Sequence, residues 1–311
     1  MINSNTESIG WWGVALGIAA GAVRGGTPFL LVSLGECLTE KSGKINLGLE
    51  GTLLMGAMSA YAISYKAGNP WAGVAAAAGA GALLGAVHAL LVSRPKVNDI
   101  AAGIAMLIFG SGVAFYFGKP FIQPSAPQLR PIALGGWSVS QPVQAALKIS
   151  PLFFLGVAMA LFLNWFFRST RWGMRVRAVG DAPAAARAMG ISVGRTRFFS
   201  IVVGSALAGI GGAHLSLFYP GAWTEAISSG QGLMAVALVI FARWNPVHCL
   251  YASLVFGGAQ AVGPALQAIG ISSGYYLWNA SPYILTLLVM IATCSPKRTL
   301  IGAPGALGSG A

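Results

Sequence analysis

The chain has 311 residues, of which 56% are hydrophobic and only 8% are charged, and its mean hydropathy is +0.71. Soluble globular domains carry roughly 25% charged residues, so this composition excludes a soluble protein. The formal net charge is +12, but the nineteen Lys and Arg residues lie almost entirely between apolar runs. That distribution indicates membrane topology and argues against a nucleic-acid-binding protein.

Apolar runs along the chain predict an all-α polytopic membrane protein with about nine transmembrane helices, in a range of eight to ten. A helix needs about 20 apolar residues to cross the hydrocarbon core, and barrel strands would alternate apolar and polar residues, which these runs do not. Two runs are weaker than the others, because the first contains Arg24 and the seventh is short. The runs span residues 11–34, 45–65, 71–92, 100–117, 152–167, 198–218, 232–241, 247–266 and 282–294.

The orientation follows from the loop 168–197, which holds seven of the nineteen basic residues. Short cytoplasmic loops carry the excess of Lys and Arg, so this loop is predicted inside the cell. Counting runs outward from it also places segments 36–44 and 93–96, Arg243 and the C-terminus inside. The prediction is a single transmembrane domain, 1–311, with a cytoplasmic loop at 168–197 and a periplasmic loop at 119–150 on the same side as the N-terminus.

Glu50 breaks the apolar pattern at the start of the second run. A carboxylate inside an apolar segment costs about 2.5 to 3.5 kcal/mol on insertion scales, so such residues normally face a partner or a water-filled path. Gly48 and Gly51 would permit an unwound or broken helix near residues 45–51, of the kind that transporters use at midplane sites. Two interpretations remain open: Glu50 lines a polar path, or it pairs with Lys44 at the cytoplasmic edge.

A second polar feature opens the fourth run, where Asn98 and Asp99 directly follow a basic segment. Both residue types readily accept hydrogen bonds from exposed first-turn amides, so either residue could cap the helix. The alternative is that the Asn98 amide lines a translocation path and hydrogen-bonds a polar solute. The sequence alone does not choose between a helix cap and a path residue.

The basic loop contains the signals of a short helix outside the membrane. Asp181 is suited to be its N-cap, Pro183 lies early in the helix, and the alanine-rich stretch 184–189 ends at Gly190. A helix with such a small-residue surface fits a groove on another protein. A helix lying on the lipid surface is the competing interpretation, although the modest apolar bulk argues against deep insertion.

At this loop the sequence resembles the coupling segment of permease subunits in ATP-binding-cassette importers. The resemblance rests on RVRAVGDAPAAARAMGI at 175–191 and on the small-residue run GSALAGIGGA at 204–213. More narrowly, TEKSGKINLGLEG at 39–51 is similar to the hallmark of the nucleoside and simple-sugar branch, and the match continues through 232–240 and 281–289. Two departures concern the substrate: residues 105–107 read AML where relatives usually carry an asparagine, and GQG at 230–232 replaces the frequent GRG.

The resemblance implies a pore built by two permease subunits, of which the second is commonly a different chain, in the bacterial inner (plasma) membrane. It also implies a cytoplasmic ATPase that binds ATP and Mg, and a periplasmic or lipid-anchored substrate-binding protein. No cofactor is then expected in this chain, and nucleic acid is not a partner. The residues expected to couple this chain to the ATPase are Gly180, Asp181, Ala185, Ala186, Met189, Gly190 and Ile191.

For the translocation path we expect contacts with a polar, ring-bearing solute, such as a nucleoside, a nucleobase or a simple sugar. An enzyme is not expected, because His88, His214 and His248 are isolated in or beside apolar runs. The alternative function is an ion- or proton-coupled secondary transporter acting alone, which would need intramembrane acids. The candidate path residues are Asn46, Glu50, Asn98 and Asp99.

Overall fold

The computed structural model describes residues 11–94, 97–138, 140–271, 273–293 and 302–308. The chain is mostly helical, with one short antiparallel pair of strands, β1 (Ile132–Ala133) and β2 (Lys148–Ile149), and one 3-10 turn, Lys119–Phe121. The α-helices are α1 (Trp11–Glu40), α2 (Leu49–Ala67), α3 (Pro70–Val92), α4 (Asp99–Gly118), α5 (Gln141–Ala146), α6 (Pro151–Ser169), α7 (Arg171–Asp181), α8 (Pro183–Ala188), α9 (Val193–Leu217), α10 (Gln231–Phe241), α11 (Pro246–Ala268), α12 (Tyr275–Asn279), α13 (Ser281–Thr293) and α14 (Gly305–Gly308).

Six of the described helices are long and apolar enough to cross a membrane, namely α1, α3, α4, α6, α9 and α11. The prediction of an all-α polytopic membrane protein is therefore confirmed. The remaining predicted runs form α2, α10 and α13. With 11 residues, α10 is about 16 Å long, which is less than the thickness of about 30 Å of a hydrocarbon core. The count of about nine crossings stays a prediction.

The first helix is longer than the run 11–34 predicts, because it continues for six residues to Glu40 and accommodates Pro28 in its interior. The charge of Arg24 does not interrupt it. The guanidinium donates a hydrogen bond to the carbonyl oxygen of Ala145, at the end of α5. The polar segment that follows α4 thus supplies a partner for the one basic residue within this predicted run.

Close approach between glycines holds α1, α2 and α9 together. A Cβ on Gly35 or on Gly204 would collide with the backbone of the other residue, and a Cβ on Gly56 would collide with the backbone of Gly209. In lipid, helices associate largely through such van der Waals packing, since lipid tails are as apolar as the side chains. Small residues thus let these helices pack tightly where they cross.

The two ends of the bundle carry different segments. At one end, segment 119–150 covers α2 and α9: the Ser64 hydroxyl donates to the Pro127 carbonyl at 2.7 Å, and the Leu129 amide donates to the Leu217 carbonyl at 2.9 Å. At the other end lie the link 41–48, α7, α8 and the tail 302–308, with Gly305 packed against Asp181. The described segments that were predicted to share the inner side therefore share one face of the molecule.

Replacing Gly204 with Ala should lower the thermal unfolding midpoint of the purified chain, because the new methyl group collides with Gly35 and overpacking costs about 1–3 kcal/mol. Gly79→Ala in α3 is the matched control, since no atom lies within 4 Å of its added carbon. Fluorescence-monitored melting in detergent measures both variants. Equal midpoints for the two would contradict the close α1–α9 contact.

Candidate functional site

The link 41–48 between α1 and α2 is a buried polar connection. It carries the helix interruption that was predicted near 45–51, although α2 itself begins at Leu49 and is continuous from there. Asn46 organises the link. Its side-chain oxygen accepts from the Gly48 amide at 3.0 Å, its side-chain nitrogen donates to the Ser205 hydroxyl at 3.2 Å, and its backbone amide donates to Glu36 at 2.8 Å.

Glu50 is buried, with 7% of its surface exposed, and it accepts three hydrogen bonds from the chain around the start of α10. One carboxylate oxygen accepts from the Ser228 hydroxyl at 2.6 Å and from the Gly230 amide at 3.1 Å. The other accepts from the Gly232 amide at 2.6 Å. The negative charge thus lies at the positive end of the α10 dipole, where carboxylates are stabilising.

The start of α10 lies deep within the bundle. From Phe218 the chain returns through a non-helical segment, 219–230, whose Trp223 is buried against Gly118. Irregular backbone at membrane depth is tolerated where protein surrounds it. Because α10 is only about 16 Å long and ends toward the face that holds the link, its first residues lie about 16 Å from that face.

The pairing of Glu50 with Lys44 that the sequence left open is wrong. Lys44 instead donates to the Asp99 carboxylate at 2.8 Å, because α4 places that acid beside the link. Asn98 caps α4, with its side-chain oxygen accepting from the amides of Ile100 at 2.8 Å and Ala101 at 3.1 Å. The capping interpretation of Asn98 is therefore confirmed, and Asp99 joins α4 to the link.

Two buried acids that the sequence interpretation missed lie near the end of α1. Glu36 and Glu40 are one helical turn apart and almost fully buried. The Trp244 indole donates to Glu40, and the second oxygen of Glu36 has no hydrogen-bond partner among the described residues. They were missed because the first run was ended at residue 34, although their i, i+4 spacing is a signal that one helix face carries both acids.

Gln231 is the middle residue of the GQG departure noted in the sequence, and the structure shows its surroundings. It is the first residue of α10 and is buried, and its side-chain nitrogen lies 3.5 Å from the side-chain oxygen of Gln260 on α11. Its own side-chain oxygen has no partner among the described residues. Buried polar atoms are nearly always paired, so this oxygen is available to accept a hydrogen bond from a water or another polar molecule.

The predicted helix in the basic loop exists as α8, but Asp181 is not its N-cap. The Ala182 amide donates to the Ala178 carbonyl at 3.0 Å, so α7 continues through Asp181 and Ala182 takes the N-cap position. At the other end the prediction for Gly190 is confirmed. Gly190 has φ of +77°, and the Ile191 amide donates to the Ala186 carbonyl at 3.0 Å, as in a Schellman motif.

The two sides of α8 differ in exposure. Ala186 is 1% exposed and packs with Val179, Ile191 and Val193, so it anchors the helix and does not belong to a free surface. Met189 is 78% exposed, and Ala185 and Gly190 are exposed as well.

Gly180 is buried against the Lys41 carbonyl, which joins α7 to the link. Of the seven predicted coupling residues, Ala185, Met189 and Gly190 form the exposed side of α8, and Asp181 is exposed at the end of α7. The other three, Gly180, Ala186 and Ile191, pack against neighbouring residues.

The buried histidines make structural contacts. The ring of His214 lies between the Arg24 carbonyl at 2.9 Å and the Ser150 hydroxyl at 3.2 Å, and His88 lies 3.4 Å from the Ile45 carbonyl. Each ring joins separate segments of the bundle, which favours the structural interpretation of these isolated histidines.

Residues 17–294 match the family described as branched-chain amino acid transport system / permease component. The chain is 33% identical over 264 residues to TsgC13 of Haloferax volcanii, a candidate glucose ABC transporter permease protein, and the match covers 83% of this chain and 80% of the relative. It is 32% identical over 289 residues to the guanosine ABC transporter permease protein NupQ of Bacillus subtilis, covering 85% and 87% of the two chains.

Two nucleoside ABC transporter permease proteins of Lactococcus lactis also match. NupC is 27% identical and NupB 25% identical to this chain. The first match covers 85% of this chain and 88% of NupC, and the second covers 78% of this chain and 71% of NupB. One organism thus carries two different relatives of this chain with the same named function.

Replacing Glu50 with Ala should lower the thermal unfolding midpoint strongly, because three donors lose their acceptor, and the two buried ones, on Ser228 and Gly232, cost about 1–3 kcal/mol each. Glu50→Gln should fall between Ala and the wild type, since its amide keeps one accepting oxygen. Glu225→Ala is the control, because Glu225 lies in the same segment 219–230 but is exposed. If Glu50→Ala and Glu225→Ala have the same unfolding midpoint, the hydrogen bonds of Glu50 do not stabilise the start of α10.

Proposed function

Because this chain belongs to the branched-chain amino acid transport system / permease component family and is a permease subunit of an ATP-binding-cassette importer, we propose that it forms one half of a translocation path for nucleosides. The observation that carries the substrate class is the match, over 85% of this chain, to two proteins named for guanosine and nucleoside. A simple sugar is the second candidate, favoured by the resemblance to TsgC13.

The path wall is proposed to include the start of α10. The unpaired side-chain oxygen of Gln231 offers an acceptor to a nucleobase or ribose donor, and half-helix ends recur at transporter substrate sites. Glu50 and Asn46 position this wall, since their polar atoms are occupied by the bundle. Asn98 and Asp99 lie at the inner mouth, where Asn98 is exposed at the start of α4.

The coupling surface is proposed to be the exposed side of α8, with Ala185, Met189 and Gly190 entering a groove on the ATPase. Its support is the rigid seating of α8 through Ala186 and the Schellman motif. A helix that is packed rigidly on its own subunit moves together with that subunit when the ATPase displaces it. ATP and Mg are then bound by the ATPase, and this chain supplies no catalytic group.

The transporter is proposed to lie in the bacterial plasma membrane with segment 168–197 and the C-terminus in the cytoplasm. The packing of the tail 302–308 beside α7 supports a common side for both. Segment 119–150 then faces a periplasmic or lipid-anchored binding protein. The second permease is proposed to be a different chain, as the pair of Lactococcus relatives suggests.

Uptake in proteoliposomes tests the proposal. With the second permease, the ATPase and the binding protein present, radiolabelled guanosine should accumulate only with ATP, and unlabelled guanosine should compete better than glucose. Stronger competition by glucose would show that the substrate is a simple sugar and would contradict the proposal of a nucleoside. Accumulation driven by an ion gradient with this chain alone would refute the importer assignment in favour of a secondary transporter.

Met189→Glu and Ala185→Glu should uncouple ATP hydrolysis from uptake and weaken ATPase retention on the permease, because each buries a charge in the proposed interface. Ala67→Glu is the control, since Ala67 is equally exposed but ends α2 at the opposite face. Ala186→Glu should instead reduce the yield of folded protein. Wild-type ATPase retention in both surface variants would exclude α8 as the docking helix.

A further inference from the structure

A cavity of about 370 Å³ opens between the link, the end of α3 and the junction of α8 with α9. This volume lies in the range of about 300–1,000 Å³ that is usual for small-molecule sites. The cavity is distinct from the start of α10, where the transport path is proposed. Its charged lining residues are Lys44, Arg187 and Arg197, and Ser93 and Ser192 are its uncharged polar residues.

The charges of this cavity do not balance. Its lining contains three cationic side chains and no carboxylate, and the ion pair between Lys44 and Asp99 compensates one of the three. Arg187 makes no ion pair within the described part of the chain, and Arg197 uses its Nε to donate to the Ser42 carbonyl at 3.1 Å. Like charges in one partly enclosed space repel each other, and an anion between them would remove that repulsion.

Lys44 adds an observation that points directly to a ligand. Its side chain is only 9% exposed, although an ammonium group has three donors that need acceptors. Among the described residues, the Asp99 carboxylate is the acceptor that the structure provides for it. A buried ammonium with donors to spare, lining a cavity, is suited to an oxygen-rich anion.

The first turn of α9 completes the lining. Ser192 is the N-cap residue but makes no side-chain capping hydrogen bond, and Val193 and Gly194 line the cavity. Amides at the start of a helix favour anions, and the residues of this first turn line the same cavity as the three cations.

We propose that this cavity binds a phosphate group, either of an anionic phospholipid in the inner leaflet or of free inorganic phosphate. Basic pockets between helices on the cytoplasmic side are suited to phospholipid headgroups. A lipid could lay its chains on the adjoining surfaces of α3 and α9, where Leu91 is 41% and Phe199 is 59% exposed. The cytoplasmic orientation proposed above matters only for the choice of leaflet.

Occupancy would tie three elements together. A bound phosphate would bridge Arg187 on α8, Arg197 on α9 and Lys44 in the link. The packing of α8 against the link and α9 would then be more stable in a membrane of anionic lipid than in one of neutral lipid.

Two measurements on the assembled transporter separate the sources. In nanodiscs of phosphatidylcholine with or without phosphatidylglycerol, native mass spectrometry reports whether phosphatidylglycerol is retained. In detergent, the thermal unfolding midpoint is followed with added inorganic phosphate, against chloride at equal ionic strength. We expect Arg187→Gln to weaken binding about fivefold, the contribution usual for one basic residue near an anionic surface.

Arg195→Gln is the matched control, because Arg195 is exposed on the same turn as Arg197 but does not line the cavity. Arg187 is itself exposed, so its replacement should leave the fold intact. Loss of phosphatidylglycerol retention in Arg187→Gln alone identifies the lipid, and loss of the phosphate-induced shift alone identifies free phosphate. Identical behaviour of Arg187→Gln and Arg195→Gln in both measurements, or no binding by the wild type, overturns the proposal.

Discussion

A helix that begins inside a membrane exposes amide donors where no water can accept them, and the capping of α10 by Glu50 answers this constraint. The acceptor comes from α2, almost two hundred residues away in sequence. Asn46 holds the link before α2, and Glu36 holds Asn46 from α1. The position of α10 therefore depends on a polar chain that crosses three other elements. Hydropathy alone would treat Glu50 as unfavourable in an apolar run. In the structure, its carboxylate accepts the amides at the start of α10 and so allows that helix to begin inside the bundle.

The close glycine contacts between helices support the same chain of polar contacts, because they bring the backbones of the bundle near to each other. Gly35 and Gly204 bring α1 and α9 close enough for Ser205 to reach Asn46. Gly232 lies directly against Glu50, where any side chain would displace the carboxylate. The small residues and the polar residues of this bundle therefore depend on each other, because the hydrogen bonds form only where the small residues let the backbones approach closely.

Much of the fold could be predicted from the sequence, because apolar run length is a local property and most helix bounds agree within a few residues. The Asn98 cap and the Gly190 helix end were predictable for the same reason, since both are local backbone arrangements. Asp181 shows the limit, because α7 continues through a residue that looked like the start of a new helix. The partner of Glu50 and the buried side of Ala186 were out of reach, since both depend on contacts between segments remote in sequence.

The contact of Gly180 with Lys41 has a mechanical consequence. It places α7, and with it α8, directly against the beginning of the link that leads through Asn46 to Glu50. Only residues 41–50 separate this contact from the carboxylate of Glu50, which holds the first turn of α10. The seat of α8 and the start of α10 belong to segments that are remote in sequence, and the link 41–48 with the first turn of α2 is the short stretch that contacts both.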